Sequence, residues 1–440
     1  MNKTFNNCYK LLLLVSLASV PYHALASKKG LVDIYHLALH HDAQLAQEKA
    51  NYQASLASVG IAKSSFLPQI SADGSYTIND GGSDAADVNT TTLGLNLQQS
   101  LYQRDYWLDY DQSKSKLKLA SYSLKIAEQT MIIRLAEHYL KVLLAKEDLA
   151  LSKAQEKANY NQWQRAKISA GIGLSSQTDV LQTKSSVDLA RSSRINAENN
   201  LDVAYEELNK LTGTRVKNLK AISRRYQPAY QSLKIEDYEQ QASEQNLTFL
   251  KLKQQAKIAK DDIRLQTSGH WPKLYLQANY SDKSYTNFGA NYTNSYQDKN
   301  NFNVGIYASV PLYSGGRTSA KVTQARAISR AANIAMRDAK ETAKLNARIE
   351  VRNIQRGKEL VSANLAAVAS SDAFLKTAQE SYEVGLKDLL DVLTARTNKF
   401  QAQRNLTSSL HHLALSQLRL AQVVGNLNIE TLNALEKHLH

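Results

Sequence analysis

The chain has 440 residues, of which 54 are Lys or Arg and 40 are Asp or Glu, and its formal net charge is +14. Only 5 prolines and 17 glycines occur, a composition that favours long solvated helices over a series of ordinary globular domains. After the first 26 residues there is no apolar run of about 18 residues, so we expect no membrane-spanning α-helix.

Residues 1–26 have the pattern of a secretory signal peptide. Lys3 and Lys10 give a basic start, an apolar segment follows, and Ala24-Leu25-Ala26 provides a small-residue cleavage site. The only cysteine, Cys8, lies in this segment, so the mature chain would have no disulfide and no thiolate metal site. Loss of the two lysines lowers the net charge to +12. Secretion argues against a nucleic-acid partner, and we assign the basic residues to solvated helix faces.

The first half of the mature chain begins with a helical pattern, followed by two alternating strands and a long tract without Gly or Pro. These elements are predicted at residues 31–64, 69–79, 90–102 and 105–170. The alternation of period two is clear in Thr91, Leu93, Leu95 and Leu97. Each strand has about the ten residues that a tilted strand needs to cross a membrane. The residues between the strands, 79–89, are polar and predict an exposed loop.

The same order of patterns returns in the second half. A helical segment, two strands around a polar loop (residues 284–300), and a second long helical tract are predicted, at residues 233–268, 273–285, 301–313 and 317–384. Pro68 recurs as Pro272 after 204 positions, and Leu101-Tyr102 recurs as Leu312-Tyr313 after 211. We therefore predict an internal duplication, with a signal peptide at 1–26, a first repeat at 27–232 and a second repeat at 233–440.

Each long tract ends at a glycine turn, and a second helix returns from it. The turns are Gly171-Ile172-Gly173 and Gly385, at an offset of 212 from Gly173, and the returning helices end near Gly213 and Gly425. Six positions of the last returning helix alternate four and three residues apart, as in a coiled-coil seam: Leu406, Leu410, Leu413, Gln417, Leu420 and Val424. Most of the chain is therefore predicted to form two long antiparallel helical hairpins, followed by a C-terminal tail.

The strands and helices together predict an α+β membrane protein. Four strands cannot close a barrel, and strand edges cannot face lipid because their backbone groups would lack partners. Two or more copies must therefore contribute to one β-barrel, and these arguments leave the number of copies open. The alternative is a secreted coiled-coil adaptor or adhesin without a pore, which leaves the four strands unexplained.

Several stretches give the duplicated pattern a closer resemblance. Pro311-Leu312-Tyr313-Ser314-Gly315-Gly316, and Tyr382-Glu383-Val384-Gly385 followed by Asp391-Val392-Leu393, are similar to recurrent stretches of the TolC family of outer-membrane efflux and type I secretion channels. The resemblance covers essentially the whole mature chain. It implies a homotrimer with a twelve-stranded barrel in outer-membrane lipid and a tunnel of helices in the periplasm. It also implies two partners, a periplasmic adaptor and an inner-membrane transporter of the RND, ABC or MFS type.

The resemblance also implies a gate at the periplasmic tips of the hairpins. The positions that match the family's gate are Thr178, Asp179, Tyr382 and Lys387. The turns that would contact the partners contain Gly171, Gly173, Leu174, Val384, Gly385 and Leu386. The family pattern favours Arg where this chain has Lys387, and a lysine lacks the two-pronged donor geometry of a guanidinium. The alternative is that these are ordinary polar residues at an exposed hairpin end.

Asp391, repeated around a symmetry axis, would form an acidic ring that favours cations. The family pattern has a second acid one turn later, where this chain has Thr394, so we expect weak selection. Asp179 occupies the equivalent place in the first repeat, and a purely structural role for both acids is the alternative. We expect no cofactor and no metal site, because the histidine pairs lack metal-ligand spacing, and no enzymatic activity, because no paired acids or nucleophile motif occur.

Overall fold

The computed structural model of the protein describes residues 28–80, 88–223, 226, 234–286 and 297–439. The predicted signal peptide and most of the two predicted polar loops lie outside these residues. Within the described part, no helix has the length and apolarity to cross a membrane. The first repeat contains helices α1 (Leu31–His41), α2 (Ala43–Ser64), α3 (Arg104–Gly171) and α4 (Gln177–Thr212), and strands β1 (Gln69–Asn79) and β2 (Val88–Gln103). The second contains α5 (Ile235–Gln245), α6 (Leu247–Thr267), β3 (Lys273–Thr286), β4 (Lys299–Ser309), α7 (Arg317–Glu383), α8 (Leu389–Val423) and α9 (Ile429–Glu436).

The first predicted helix of each repeat is divided in two by a capping residue. Asp42 has an extended ψ of 112°, and its carboxylate accepts a hydrogen bond of 2.7 Å from the Leu45 N–H at the start of α2. Asn246, 204 positions later, has a ψ of 123° and accepts a 3.0 Å bond from the Phe249 N–H at the start of α6. Both are residue types that prefer helix N-caps. The helical segments predicted at 31–64 and 233–268 therefore each consist of two helices joined at the capping residue.

The four strands form one antiparallel sheet in the order β1-β2-β3-β4. β1 and β4 are its edges, and β2 pairs with β3 at the junction of the two repeats. The prediction that the last strand continues to residue 313 was wrong, because β4 ends at Ser309. Ser309 lies opposite Lys273, the first residue of β3 after Pro272. The ladder therefore ends where β3 begins, and Pro311, two residues beyond Ser309, has no N–H with which to extend it.

The two long hairpins are present as predicted. α3 has 68 residues and α7 has 67, so each is about 100 Å long at about 1.5 Å per residue. α4 packs against α3, and α8 packs against α7 and also against α3. The returning helices end at Gly213 and Gly425, whose φ angles of +68° and +79° lie in the left-handed region that favours glycine. Every residue of the predicted seam on α8 is buried.

The main core forms a belt part-way along the hairpins. Residues 131–143 of α3 and 343–361 of α7 pack there with the ends of the two returning helices and with α1. The C-terminal segment, predicted as a tail, contains α9, whose Leu432 and Leu435 are buried in this belt. Glu436 ties α9 to α1 because its carboxylate accepts a 2.7 Å hydrogen bond from the Val32 N–H.

Candidate gate at the hairpin tips

Both hairpins turn with the same backbone motif. The Leu174 N–H donates to the Ser169 carbonyl at 2.8 Å, and the Leu386 N–H donates to the Ser381 carbonyl at 2.9 Å. These bonds, which satisfy the last carbonyls of α3 and α7, close a turn that contains a left-handed glycine in each case, at Gly173 and Gly385. The duplication predicted from the glycine spacing therefore extends to the hydrogen bonds of the turns.

Apolar side chains are concentrated at the two tips. Ile172 and Val384 are 67% and 69% exposed, and Leu174 and Leu386 are 79% and 80% exposed. Gly171 is also exposed, and no atom lies within 4 Å of where its Cβ would be. Exposed apolar groups in a cluster indicate a contact surface. The six residues predicted as partner contacts all lie on this surface.

In the first tip, Asp179 closes a capping box at the start of α4. Its carboxylate accepts hydrogen bonds from the Ser176 N–H at 3.1 Å and from the Ser175 hydroxyl at 2.9 Å. Its own N–H donates to the Ser176 hydroxyl oxygen at 3.1 Å. These donors, the Ser176 N–H first, lower the pKa of Asp179. Thr178 beside it is exposed.

In the second tip, Lys387 replaces the serine. Its Nζ lies 3.4 Å from the Asp391 carboxylate and 5.7 Å from the centre of the Phe374 ring. Asp388 caps α8 because its carboxylate accepts a 2.9 Å bond from the Asp391 N–H. Ser175 and Asp179 correspond to Lys387 and Asp391 at the offset of 212. The same pair of positions is therefore linked in both tips, by a hydroxyl in one and an ammonium in the other.

The described chain brings only part of the predicted gate together. Tyr382 is half-buried against Leu375, Ala378, Val392 and Ala395, between α7 and α8. Among the described residues, no hydrogen bond or ion pair connects Thr178 or Asp179 of the first tip with Tyr382 or Lys387 of the second. A link between the two tips stays a prediction, and it would have to form between neighbouring copies of the chain. The acidic ring of Asp391 also stays a prediction, and within one chain its charge is already compensated by Lys387.

A set of arginines between the two hairpins was not identified from the sequence. Arg396 of α8 is 7% exposed and donates hydrogen bonds to the Ala158 carbonyl at 3.2 Å and to Asn159 Oδ1 at 3.4 Å, both on α3. No ion pair with a carboxylate is found for it in the part of the chain that the structure describes. Burial, and then the nearby Arg165, lower its pKa.

Two further arginines of α8 also reach α3. Arg404 contacts Asp148 and donates a 2.9 Å bond to Ser152 Oγ, and Arg419 lies 2.8 Å from Glu137. Arg396, Arg404 and Arg419 are not at a spacing that repeats on one helix face, so the sequence pattern contained no clear signal for this connection. These contacts, together with Arg396, hold the second hairpin against the first.

Comparisons with known proteins agree with this architecture. Residues 34–214 and 239–426 match the profile of a family described as "Outer membrane efflux protein". Over 401 residues the chain is 30% identical to the outer membrane protein TolC of Vibrio cholerae, with 91% of each chain covered. It is 26% identical to the proteases secretion protein PrtF of Dickeya chrysanthemi, over 92% of this chain and 89% of the relative. The solved structure of the Campylobacter jejuni CmeC outer membrane channel matches with a TM-score of 0.77 and 17% identity, over 93% of this chain and 90% of that one.

Proposed function

Because the chain belongs to the outer membrane efflux protein family, we propose that three copies form the exit duct through which substrates leave the cell. The chain is an outer-membrane protein with a role in efflux and secretion. In the assembled duct, three four-stranded sheets form one twelve-stranded barrel, and the hairpins continue it as a tunnel in the periplasm. The observation that carries this proposal is the combination of one short sheet with two unpaired edges and two helical hairpins of about 100 Å.

The sheet of a single chain supports assembly from several copies. β1 and β4 each leave one row of backbone N–H and C=O groups without a strand beside it. In lipid such groups have no hydrogen-bond partners, so a membrane sheet must close on itself. Pairing of β4 with β1 of the next copy satisfies both edges at once.

The gate that we propose depends on a weak ion pair. Lys387 and Asp391 lie 3.4 Å apart, and their side chains are 39% and 44% exposed. A pair this exposed contributes about 0 to 1 kcal/mol. Lys387 can therefore exchange Asp391 for Asp179 on the first hairpin of a neighbouring copy at little cost. Tyr382 and Thr178 lie beside these residues and complete the set of polar links that hold the closed tips together.

Opening of this gate requires no chemical step. Each polar link is worth about 0.5 to 1.5 kcal/mol net, so a protein that binds the tips can break several links at once. The second hairpin then moves away from the axis relative to its neighbours. Asp391, released from Lys387 when the lysine binds Asp179, contributes to an acidic ring in the closed state.

In the proposed assembly the partners bind at the exposed tips. Leu174, Val384 and Leu386, with Gly171, Gly173 and Gly385 beside them, offer an apolar surface. We assign this surface to a periplasmic adaptor, which connects the duct to an inner-membrane transporter of the RND, ABC or MFS type. The names of relatives that act in protease secretion support a protein cargo, and the family description supports efflux.

Conductance in planar lipid bilayers tests both the duct and its gate. We expect the purified protein to have the native mass of three chains and to give a small, stable conductance. The double variant Lys387→Ala with Tyr382→Phe should raise single-channel conductance, because the closed tips lose two polar links per chain. Lys376→Ala is the control for the loss of a lysine from the same hairpin, since Lys376 makes a longer and more exposed pair with Glu380, at 4.0 Å on α7.

Two results would count against the proposal in different ways. If the double variant and the control have the same conductance as the parent, Lys387 and Tyr382 do not form the gate, while the duct stands. If the parent protein is a monomer that never makes a bilayer conductive, the duct itself is disproved.

A further inference from the structure

The two copies of the Leu-Tyr motif differ greatly in exposure. Leu101 and Tyr102 at the end of β2 are 49% and 37% exposed, whereas Leu312 and Tyr313 after β4 are 93% and 88% exposed. Tyr102 is covered because β3 runs beside it and places Leu274 opposite. β4 is an edge strand of the sheet that the described residues form, so Tyr313 has no equivalent neighbour within this sheet.

The two hairpins of the sheet have the same register once the repeat offsets are applied. Ile70 lies opposite Leu97 in the first hairpin, and Leu274 lies opposite Ala308 in the second. Ile70 becomes Leu274 by the offset of the proline, 204, and Leu97 becomes Ala308 by the offset of the Leu-Tyr motif, 211. The duplication therefore holds residue by residue through all four strands.

The contact between β2 and β3 is thus a template for the contact that one chain lacks. In the chain, Leu95 lies opposite Tyr280 and Tyr102 lies opposite Leu274. Adding 211 to a residue number of β2 gives the equivalent position in β4, and subtracting 204 from a residue number of β3 gives the equivalent position in β1. We propose that β4 of one copy pairs with β1 of the next in the register that places Ile306 opposite Tyr76 and Tyr313 opposite Ile70. This inference rests on the proposed duct and specifies the seam between its subunits.

The distribution of apolar residues supports this register independently. One face of β4 contains Phe302, Val304, Ile306 and Ala308, and one face of β1 contains Ile70, Ala72, Gly74, Tyr76 and Ile78. Residues directly opposite each other point to the same side of a sheet, so the proposed register places these two faces together. A slip of one residue would place the apolar residues of β4 opposite polar positions of β1 such as Asp73, Ser75 and Thr77. Only slips of two residues keep the faces matched, and the repeat template selects one of these registers.

The end of the seam explains the exposed Leu-Tyr motif. The β2–β3 ladder has an irregularity between Ser100 and Tyr102, which makes Leu101 the extra residue of a bulge. Leu312 is the extra residue in the seam, and Pro311 precedes it, where an interrupted ladder tolerates the missing N–H. Tyr313 then reaches the groove at the start of β1 of the next copy. The apolar and aromatic part of the lining of that groove consists of Phe66, Leu67, Leu101, Tyr106, Trp107 and Tyr110.

Disulfide trapping tests the register directly. β1 and β4 of one copy are three strand spacings apart, about 14 Å, so a disulfide between them can form only between copies. Ile306→Cys with Tyr76→Cys should give covalent dimers and trimers on non-reducing gels. The matched controls combine Ile306→Cys with Gly74→Cys or with Ile78→Cys, which correspond to the registers slipped by two residues. We expect at least about five-fold less cross-linking in these controls, because the Cα atoms are farther apart than a disulfide allows.

A second pair protects the test against unsuitable geometry on one face. In the same register, Tyr307 lies opposite Ser75 on the other face of the sheet, so Tyr307→Cys with Ser75→Cys should also cross-link. The inference is overturned if a slipped pair cross-links most strongly, or if neither matched pair cross-links while the reduced protein is trimeric and conducts in bilayers. A reduced parent protein that is monomeric and does not conduct would instead disprove the duct.

Discussion

His411 on α8 provides a test of how the central belt responds to acid. The imidazole is buried, between Leu410 and Leu413 in the sequence, which are both core residues. Burial, and then the neighbouring His412, lower its pKa from the ordinary 6.5 to about 4. The folded chain therefore keeps this histidine neutral in a pH range where the unfolded chain protonates it. We predict that His411→Leu makes the stability of the protein less sensitive to acid.

The sign and size of the effect follow from proton linkage. Between pH 6.5 and 4 the unfolded state binds more protons at this position than the folded state, so stability falls as the pH falls. From pH 7.5 to 4.5 the loss from His411 is about 2.5 kcal/mol per chain, since one unit of pKa corresponds to about 1.4 kcal/mol. Above pH 6.5 the histidine contributes no pH dependence, and below pH 4 the loss is complete.

The assay compares urea unfolding of the detergent-solubilised protein at pH 7.5 and 4.5, followed by circular dichroism. Carboxylates also titrate in this range, so the informative quantity is the pH-dependent loss of stability in the parent minus that in the variant. His412→Gln is the matched control, because His412 is exposed on the next position of the helix. An equal loss in the parent and in His411→Leu would refute the reasoning, as would an equal effect of the His412 variant.

Three further predictions concern the tips and the contacts between helices. Asp391→Ala should reduce block of the conductance by large multivalent cations, and unchanged block would remove Asp391 from the constriction. Arg404→Gln removes the charge-assisted contacts with Asp148 and Ser152, which contribute about 1 to 3 kcal/mol. Hydrogen exchange of the backbone amides along α8 should then accelerate about ten-fold. Unchanged exchange would show that Arg404 does not hold the hairpins together. Gly425→Ala should destabilise the chain more than Gly385→Ala, although both glycines have φ near +79°, because an added Cβ would lie 2.4 Å from the Gln245 carbonyl oxygen at Gly425 and meets nothing at Gly385. Equal melting temperatures for these two variants would contradict that explanation.

Local patterns in the sequence were sufficient for most of the elements. The absence of Gly and Pro from residues 105–170 predicted α3 to within one residue at each end. The prolines before β1 and β3 predicted where the two strand pairs begin, because proline ends the preceding helix. The four-three spacing on α8 predicted a seam that is buried throughout. These features depend on the spacing of apolar residues, Gly and Pro along the chain, which can be read from a short window of residues.

The errors and omissions have a different origin. β4 ends four residues before its predicted limit because its length depends on where β3 begins. Arg396 is buried because α3 lies over that face of α8, although its residue type predicts a solvated position. Lys387 pairs with Asp391 in its own chain, a contact that the sequence allows but does not distinguish from others.

The sequence by itself determined the duplication, the two hairpins, the strand pairs and the glycine turns. It did so because each is encoded by spacing along the chain. The tertiary structure decided which strand lies beside which, which charged groups are paired, and which two strands form the edges of the sheet. Those outcomes depend on contacts between residues far apart in the sequence, such as Tyr102 with Leu274. Such contacts form, and stabilise the sheet, only in the folded chain.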